Sequence, residues 1–289
     1  MQANAQSINF LKTQSKFIIP YFQRSYVWNE KNWEEIFDGL EILEKNFLGS
    51  LVFKHLTPVT GEMQKILVID GQQRLTTLAI ILKAFYDTFN ENIKTNIVSN
   101  IRSLLFYKER ETSSEYFVKV EHSKIDSKAF KAIMRYNFEE PSIVLNYLGT
   151  SRIFDAYNYF KNRLSSTSEE KREILYSKLV NENIKFLVVI DLSESEDEQQ
   201  IFDTINSSGV QLDPADIIKN SLFQRIFSIF KNEQKVNNLY ADYWEQTFLA
   251  DPETIQFWEK EKVTGRIKRN NIQLLFHSIA IIKSLYSAD

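Results

Sequence analysis

The chain contains no cysteine, which excludes disulfide bridges, thiolate metal sites and cysteine nucleophiles. Its three histidines, His55, His122 and His277, stand far apart, and none has another histidine at helical spacing. That argues against a zinc site or an HNH-type nuclease centre in this chain. Glycine and proline are scarce, 7 and 5 in 289 residues, so tight turns are few and a helix-rich chain is expected. No apolar run reaches membrane-spanning length. Met1-Gln-Ala-Asn-Ala-Gln6 has no basic or apolar signal region. No membrane partner is therefore expected, and the cytoplasm is the expected compartment. Positive charge is not in excess: 35 Lys+Arg against 38 Asp+Glu give a formal net charge of −3. Contact with nucleic acid then requires a local patch or a part that this chain lacks. No GxxxxGK[ST] stretch exists, which excludes a P-loop.

What is present is the composition of an ordinary globular protein, 43% hydrophobic and 25% charged, with 22 Phe and 13 Tyr. Its organising stretch is Lys65-Ile-Leu-Val-Ile69 running into Asp70-Gly71-Gln72-Gln73-Arg74. A helical stripe of Leu75, Leu78, Ala79, Leu82, Phe85, Tyr86 and Phe89 follows at once. This predicts strand, tight turn and helix, with an acid, a permissive glycine, two amides and an arginine at the positive helix end. Unpaired N–H groups there suit an anion such as phosphate. The plain alternative is a strand-to-helix turn in which Asp70 caps the helix and Arg74 pairs with a surface carboxylate.

Upstream, Lys16–Ile19 predicts a short strand stopped by Pro20, followed by the aromatic stretch Tyr21-Phe22-Gln23-Arg24-Ser25-Tyr26-Val27-Trp28. Asn29 is placed to cap a helix carrying Trp33, Ile36, Phe37, Leu40 and Leu43. Trp33 and Phe37 are expected in the core. Gln23 and Arg24, between aromatics, need partners or face a cleft. Residues 47–56 predict another strand, and residues 94–182 a helical scaffold. Residues 184–190 predict a strand rejoining the sheet. An acidic helix from Ser193 is expected to stop at Asn206-Ser-Ser-Gly209, and the next helix to begin with Asp213 as cap and Pro214 as first residue. The tail is expected to be helical. It holds a basic cluster, Lys262, Arg266, Lys268 and Arg269, whose bland reading is a charged loop. It ends on an apolar helix without cap or polar tail, as a chain cut from a longer protein would.

Three pieces stand in order over residues 17–223: Ile19-Pro-Tyr-Phe-Gln23-Arg24-Ser-Tyr26-Val-Trp28, Asp70-Gly71-Gln72-Gln73-Arg74, and Phe202-Asp-Thr-Ile-Asn206-Ser-Ser-Gly209 running on to Asp216-Ile-Ile-Lys219-Asn220. Together they resemble the amino-terminal domain of the GmrSD class of modification-dependent restriction enzymes, relatives of which occur in bacterial anti-phage systems. The first two are also similar to the ParB/sulfiredoxin-like fold, where an Asp-Gly-x-x-Arg turn grips nucleotide phosphates. Phe22 departs from the tyrosine usual in the family's first motif. The carboxy-terminal HNH-like nuclease domain of GmrSD proteins has no counterpart here, and the absence of cysteine rules out the sulfiredoxin reaction.

The resemblance implies an α+β fold: a small ParB/sulfiredoxin-like mixed sheet with a large, mostly helical remainder. It divides the chain into a nucleotide-binding core over 1–92, a helical insertion over 93–182, a completing strand and helices over 183–230, and a helical part over 231–289. It further implies binding and Mg²⁺-dependent hydrolysis of a nucleoside triphosphate (GTP, ATP, CTP or UTP) coupled to restriction of DNA, with modified DNA as the candidate target. Asp70, Gln72, Gln73 and Arg74 are the expected catalytic residues, with Asp70 on the metal. Gln23, Arg24, Tyr26, Gly71, Asn206, Gly209, Lys219 and Asn220 are the expected nucleotide-binding residues. Lys262, Arg266, Lys268 and Arg269 are the candidate DNA contacts, and a second copy or a nuclease domain is the candidate protein partner. A sensor that binds nucleotide or modified DNA without turnover, and a ParB-like nuclease acting through Asp70, remain as alternatives.

Overall fold

The computed structural model describes residues 2–20, 23–44, 46–57, 63–109, 112–122, 124–136, 138, 151–193, 214–230, 232–264 and 267–285. Two compact units make up the chain, Met1–Phe202 and Asp203–Asp289. Among the described residues no helix is long and apolar enough to cross a membrane.

The first unit is built on a six-stranded mixed sheet. Its strands are β1 (Gln2–Gln6), β2 (Ser15–Ile18), β3 (Ser50–His55), β4 (Gln64–Asp70), β7 (Val120–Glu121) and β8 (Leu187–Leu192), in the spatial order β1-β8-β3-β4-β2-β7. The short strands β5 (Phe106–Tyr107) and β6 (Phe117–Val118) form a separate pair. β4 lies antiparallel to β3 and parallel to β2, and β8 rejoins the sheet parallel to β3. Leu51, Phe53, Ile66, Val68, Leu187 and Val189 share one apolar core with the helices α1 (Glu30–Glu41), α2 (Gln72–Thr88), α3 (Glu91–Leu105), α4 (Lys124–Arg135), α5 (Arg152–Ser165) and α6 (Glu169–Val180). Asn29 caps α1 in a reciprocal box with Asn32, as its position predicts. Trp33 and Phe37 are buried core residues.

α2 is the trunk of this unit. The stripe read from sequence is too narrow, because residues from Leu75 to Tyr86 are buried on every side, between the sheet, α3, α4 and α5. Lys83 falls inside that dry helix and is fully buried. It pairs with Asp87 one turn on, and the Tyr157 hydroxyl of α5 donates to Asp87 Oδ2 at 2.6 Å. Burial draws the Lys83 ammonium down to about 8, and Asp87 only partly offsets this. Lys119, also buried, donates to the carbonyls of Leu11 and Ser103, near the ends of a 3₁₀ helix (Ile8–Lys12) and of α3. A cation there answers the negative ends of both helices.

The second unit holds α7 (Pro214–Phe230), α8 (Glu233–Leu239), a π-helical turn at Tyr240–Glu245, α9 (Pro252–Glu259) and α10 (Asn271–Ile282). Phe223, Tyr240, Trp244, Phe248 and Phe276 pack ring against ring in its centre. The expected all-helical tail is interrupted by a hairpin, β9 (Glu261–Thr264) with β10 (Ile267–Asn270). Val263 and Ile267 supply β-branched residues to the two strands.

Removing one member of the buried ion pair should expose its role. Asp87→Ala is expected to destabilise the first unit by about 3–5 kcal/mol, because it strands a buried ammonium. The double substitution Lys83→Met/Asp87→Leu should recover most of that loss, read as the urea midpoint.

Candidate functional site

β4 ends at Asp70, and Gly71 turns the chain with φ 85° into the first turn of α2. No side chain caps that helix, so Asp70 is not the cap that the plain reading of the turn requires. Its half-buried carboxylate makes no hydrogen bond among the described residues. Glycine is required at 71 twice over. The left-handed backbone disfavours any Cβ, and one built there would lie 2.6 Å from Leu51 Cδ2 and 2.8 Å from the Ser50 carbonyl oxygen. β3 and the α2 turn are therefore in direct backbone contact.

Arg74 uses that contact. Its guanidinium lies over Gly49, itself at φ 110°, where a Cβ would collide with it, and Nη1 donates to the Ser50 carbonyl at 2.6 Å. Nε is buried and has no hydrogen-bond partner. Burial lowers the Arg74 pKa, with the nearby Asp70 charge acting in the opposite sense. No ion pair with a carboxylate forms among the described residues. The outcome is a half-buried cation with an unused donor, beside a helix N-terminus whose first N–H groups have no intrahelical partner.

The aromatic stretch is stapled onto this turn by glutamines. β2 pairs with β4 only as far as Leu67, and beyond it the buried Gln23 side chain takes over, donating to the carbonyls of Val68 (2.8 Å) and Ile69 (3.2 Å). Gln72 donates to the Arg24 carbonyl at 3.2 Å. Gln73 is engaged at both ends: Nε2 donates to the Ser25 carbonyl (3.0 Å), and Oε1 accepts from Val27 N (2.8 Å) and Trp28 N (3.4 Å). Arg24, half-buried, is thus held next to the Asp70 turn through its backbone.

Tyr26 is a buried structural residue. Its hydroxyl accepts from Trp33 Nε1 (2.8 Å) and meets Thr77 Oγ1 at 2.7 Å, and Thr77 in turn donates to the Gln73 carbonyl. Burial pushes the phenol well above its ordinary pKa. Tyr26 N donates to Asp126 of α4 at 2.7 Å. Beneath the same turn lies His122, against Phe130, with Nε2 3.1 Å from Thr76 Oγ1. Thr76 gives its own proton to the Gln72 carbonyl, so the imidazole must be the Nε2–H tautomer. Burial pulls His122 down from 6.5 to about 3.

Lys219 and Asn220 are buried in α7 of the second unit. Lys219 pairs with Asp216 at 2.6 Å, its ammonium over the Trp244 ring. Asn206, Gly209 and Arg266 lie outside the described residues. Lys262 and Arg269 face each other across the β9–β10 hairpin, and Lys268 lies exposed beside Glu261 (3.9 Å). One arrangement escapes the sequence altogether: His55 of β3 meets Asp191 of β8 at 2.8 Å, with Gln64 3.0 Å from its other ring nitrogen. Parallel pairing of β3 with β8 joins residues that no local spacing connects.

Residues 7–223 match the family described as the GmrSD restriction endonuclease N-terminal domain. An uncharacterized protein of Methanocaldococcus jannaschii is 22% identical over 265 residues, a match covering 79% of this chain and 44% of that protein. The chain thus spans less than half the length of that relative.

Two outcomes follow from the geometry. Gly71→Ala should lose about 1–3 kcal/mol from backbone strain alone, read by denaturant titration. His122 protonates in the unfolded chain near 6.5 but in the folded chain only near 3, so its contribution is present above 6.5 and lost as pH falls. At pH 5 wild type should have lost on the order of 2 kcal/mol more than His122→Gln, each relative to its own value at pH 7.5.

Proposed function

The chain belongs to the GmrSD N-terminal-domain family, and from that premise we propose that it binds and hydrolyses a nucleoside triphosphate as the regulatory part of a DNA-restriction, anti-phage protein. One observation carries the reading: Arg74 is a half-buried guanidinium with an unused Nε donor and no carboxylate in ion-pair range among the described residues, placed at the N-terminus of α2. A phosphate is the anion that such a donor set takes.

In this reading Arg74 and Arg24 bind phosphoryl oxygens, and the first-turn N–H groups of α2 complete the cradle. Asp70 would hold Mg²⁺. Among the described residues no set of three metal-ligating side chains occurs, and a single free carboxylate suits an ion that draws its other ligands from phosphate and water. Bound there, Mg²⁺ would neutralise charge on the transferred phosphoryl group. Gln72, whose Oε1 is not tied to the loop, would orient the attacking water. Asn206, Gly209, Lys219 and Asn220 stand as further nucleotide contacts on the resemblance of their motif alone. The exposed Lys262 and Lys268 with Arg269 would meet the DNA backbone, since like charges set opposite one another in a hairpin repel until a polyanion offsets them. A non-hydrolysing sensor is the second reading, favoured by the two backbone amides on the Gln73 oxygen, which leave it no lone pair with which to position water.

The test is phosphate release from GTP, ATP, CTP and UTP with Mg²⁺. Wild type should turn over at least one of them, and Asp70→Ala and Arg74→Ala should each lose about 10²–10³-fold. Tight nucleotide binding without release by wild type would instead establish the sensor.

A further inference from the structure

The turn's two glutamines are not equivalent, and the difference gives Gln73 a role of its own. Its amide is engaged at both ends: one N–H on the Ser25 carbonyl, and the oxygen shared by Val27 N and Trp28 N. The residue is buried, at 7% exposure, and its oxygen already accepts from two backbone amides. The backbone groups it satisfies belong to residues 23–29, which lie in neither strand nor helix before α1 begins at Glu30. These groups are partly buried and have no regular ladder, so this one side chain supplies the partners that a ladder would. The stretch is pinned upstream as well, by Gln23 on the Val68 and Ile69 carbonyls and by Gln72 on the Arg24 carbonyl. Arg24 sits between those attachments.

We infer that Gln73 is a positioning residue: it docks residues 25–28 onto the first turn of α2 and thereby sets Arg24 beside Arg74 as the second cation of the anion site. The anion-binding part of this inference rests on the phosphate reading above, whereas the docking part does not. Because Gln73 acts through backbone hydrogen bonds, its acceptor oxygen matters more than its donor. Glutamate, which keeps an acceptor of the same reach, should therefore preserve the docking that alanine abolishes. A water-orienting glutamine would behave differently, since its loss leaves the loop in place.

Amide hydrogen exchange over residues 23–30 and calorimetric binding of pyrophosphate, measured on wild type, Gln73→Ala and Gln73→Glu, test this together. Gln73→Ala should speed exchange at Val27 and Trp28 by about tenfold or more and weaken pyrophosphate by a similar factor, with cooperative unfolding retained. Gln73→Glu should keep both amides protected. Unchanged exchange in Gln73→Ala overturns the inference. So does weakened binding with unchanged exchange, because Gln73 would then touch the ligand itself. If wild type binds no pyrophosphate, the phosphate reading fails while the exchange data still decide the docking role. Should Gln73→Ala fail to fold, loss of protection at Val27 and Trp28 in Gln73→Glu overturns the inference, and retained protection supports it.

Discussion

The first unit depends on one close approach, that of Gly71 to the backbone of β3 at Ser50 and Leu51. Because no Cβ intervenes, β4 passes into α2 without leaving the surface of the sheet. α2 then begins beside β3 and runs through the middle of the core. The same approach puts Arg74 over Gly49 and within reach of the Ser50 carbonyl. Two glycines with positive φ, 49 and 71, thus place one cation. Widening either contact would take the Arg74 guanidinium away from Gly49 and the Ser50 carbonyl. The placing of Arg74 at the start of α2 is a consequence of how the sheet and helix join.

Around that join the interior is unusually rich in anchored polar groups. Lys83 with Asp87, Lys119 on two helix ends, and His122 on Thr76 are each buried and each satisfied. Such groups add little net stability, but they penalise any packing that leaves them unpaired. They tie α2 to α5, α3 to the 3₁₀ helix, and the β7 end to α2. The network through Trp33, Tyr26, Thr77 and the Gln73 carbonyl carries the same rigidity up to the loop that holds Arg24.

Much of this was legible in the residues. The run from Lys65 to Arg74 read as strand, turn and helix because apolar β-formers, Gly71 and a helical period follow one another without a gap. Asn29 read as a cap, and its side chain accepts from the first turn of its helix. The α+β class, implied by the family resemblance, is the one that the structure shows. Other features were hidden for physical reasons. β1, Gln-Ala-Asn-Ala-Gln, has no hydrophobic signal, because it is an exposed edge strand held by backbone bonds to β8. The β9–β10 hairpin looked like a charged loop because half of its strand residues are charged and its strands are held by cross-strand pairing. At the site, residue types identified the turn, yet not which groups were available. Only the fold reveals that Tyr26 and Gln73 are occupied by the core and the loop. His55 with Asp191, 136 positions apart, illustrates the same limit.

The central claim is that the Asp70–Arg74 turn is an anion site. The most direct measurement is an ¹⁵N NMR titration of the protein with pyrophosphate, with and without Mg²⁺. The largest shifts are expected at the backbone amides of Gly71 to Arg74 and at Arg74 Nε–H, with smaller ones at Arg24. Shifts confined to the β9–β10 hairpin, or none at the turn at saturating pyrophosphate, would contradict the account.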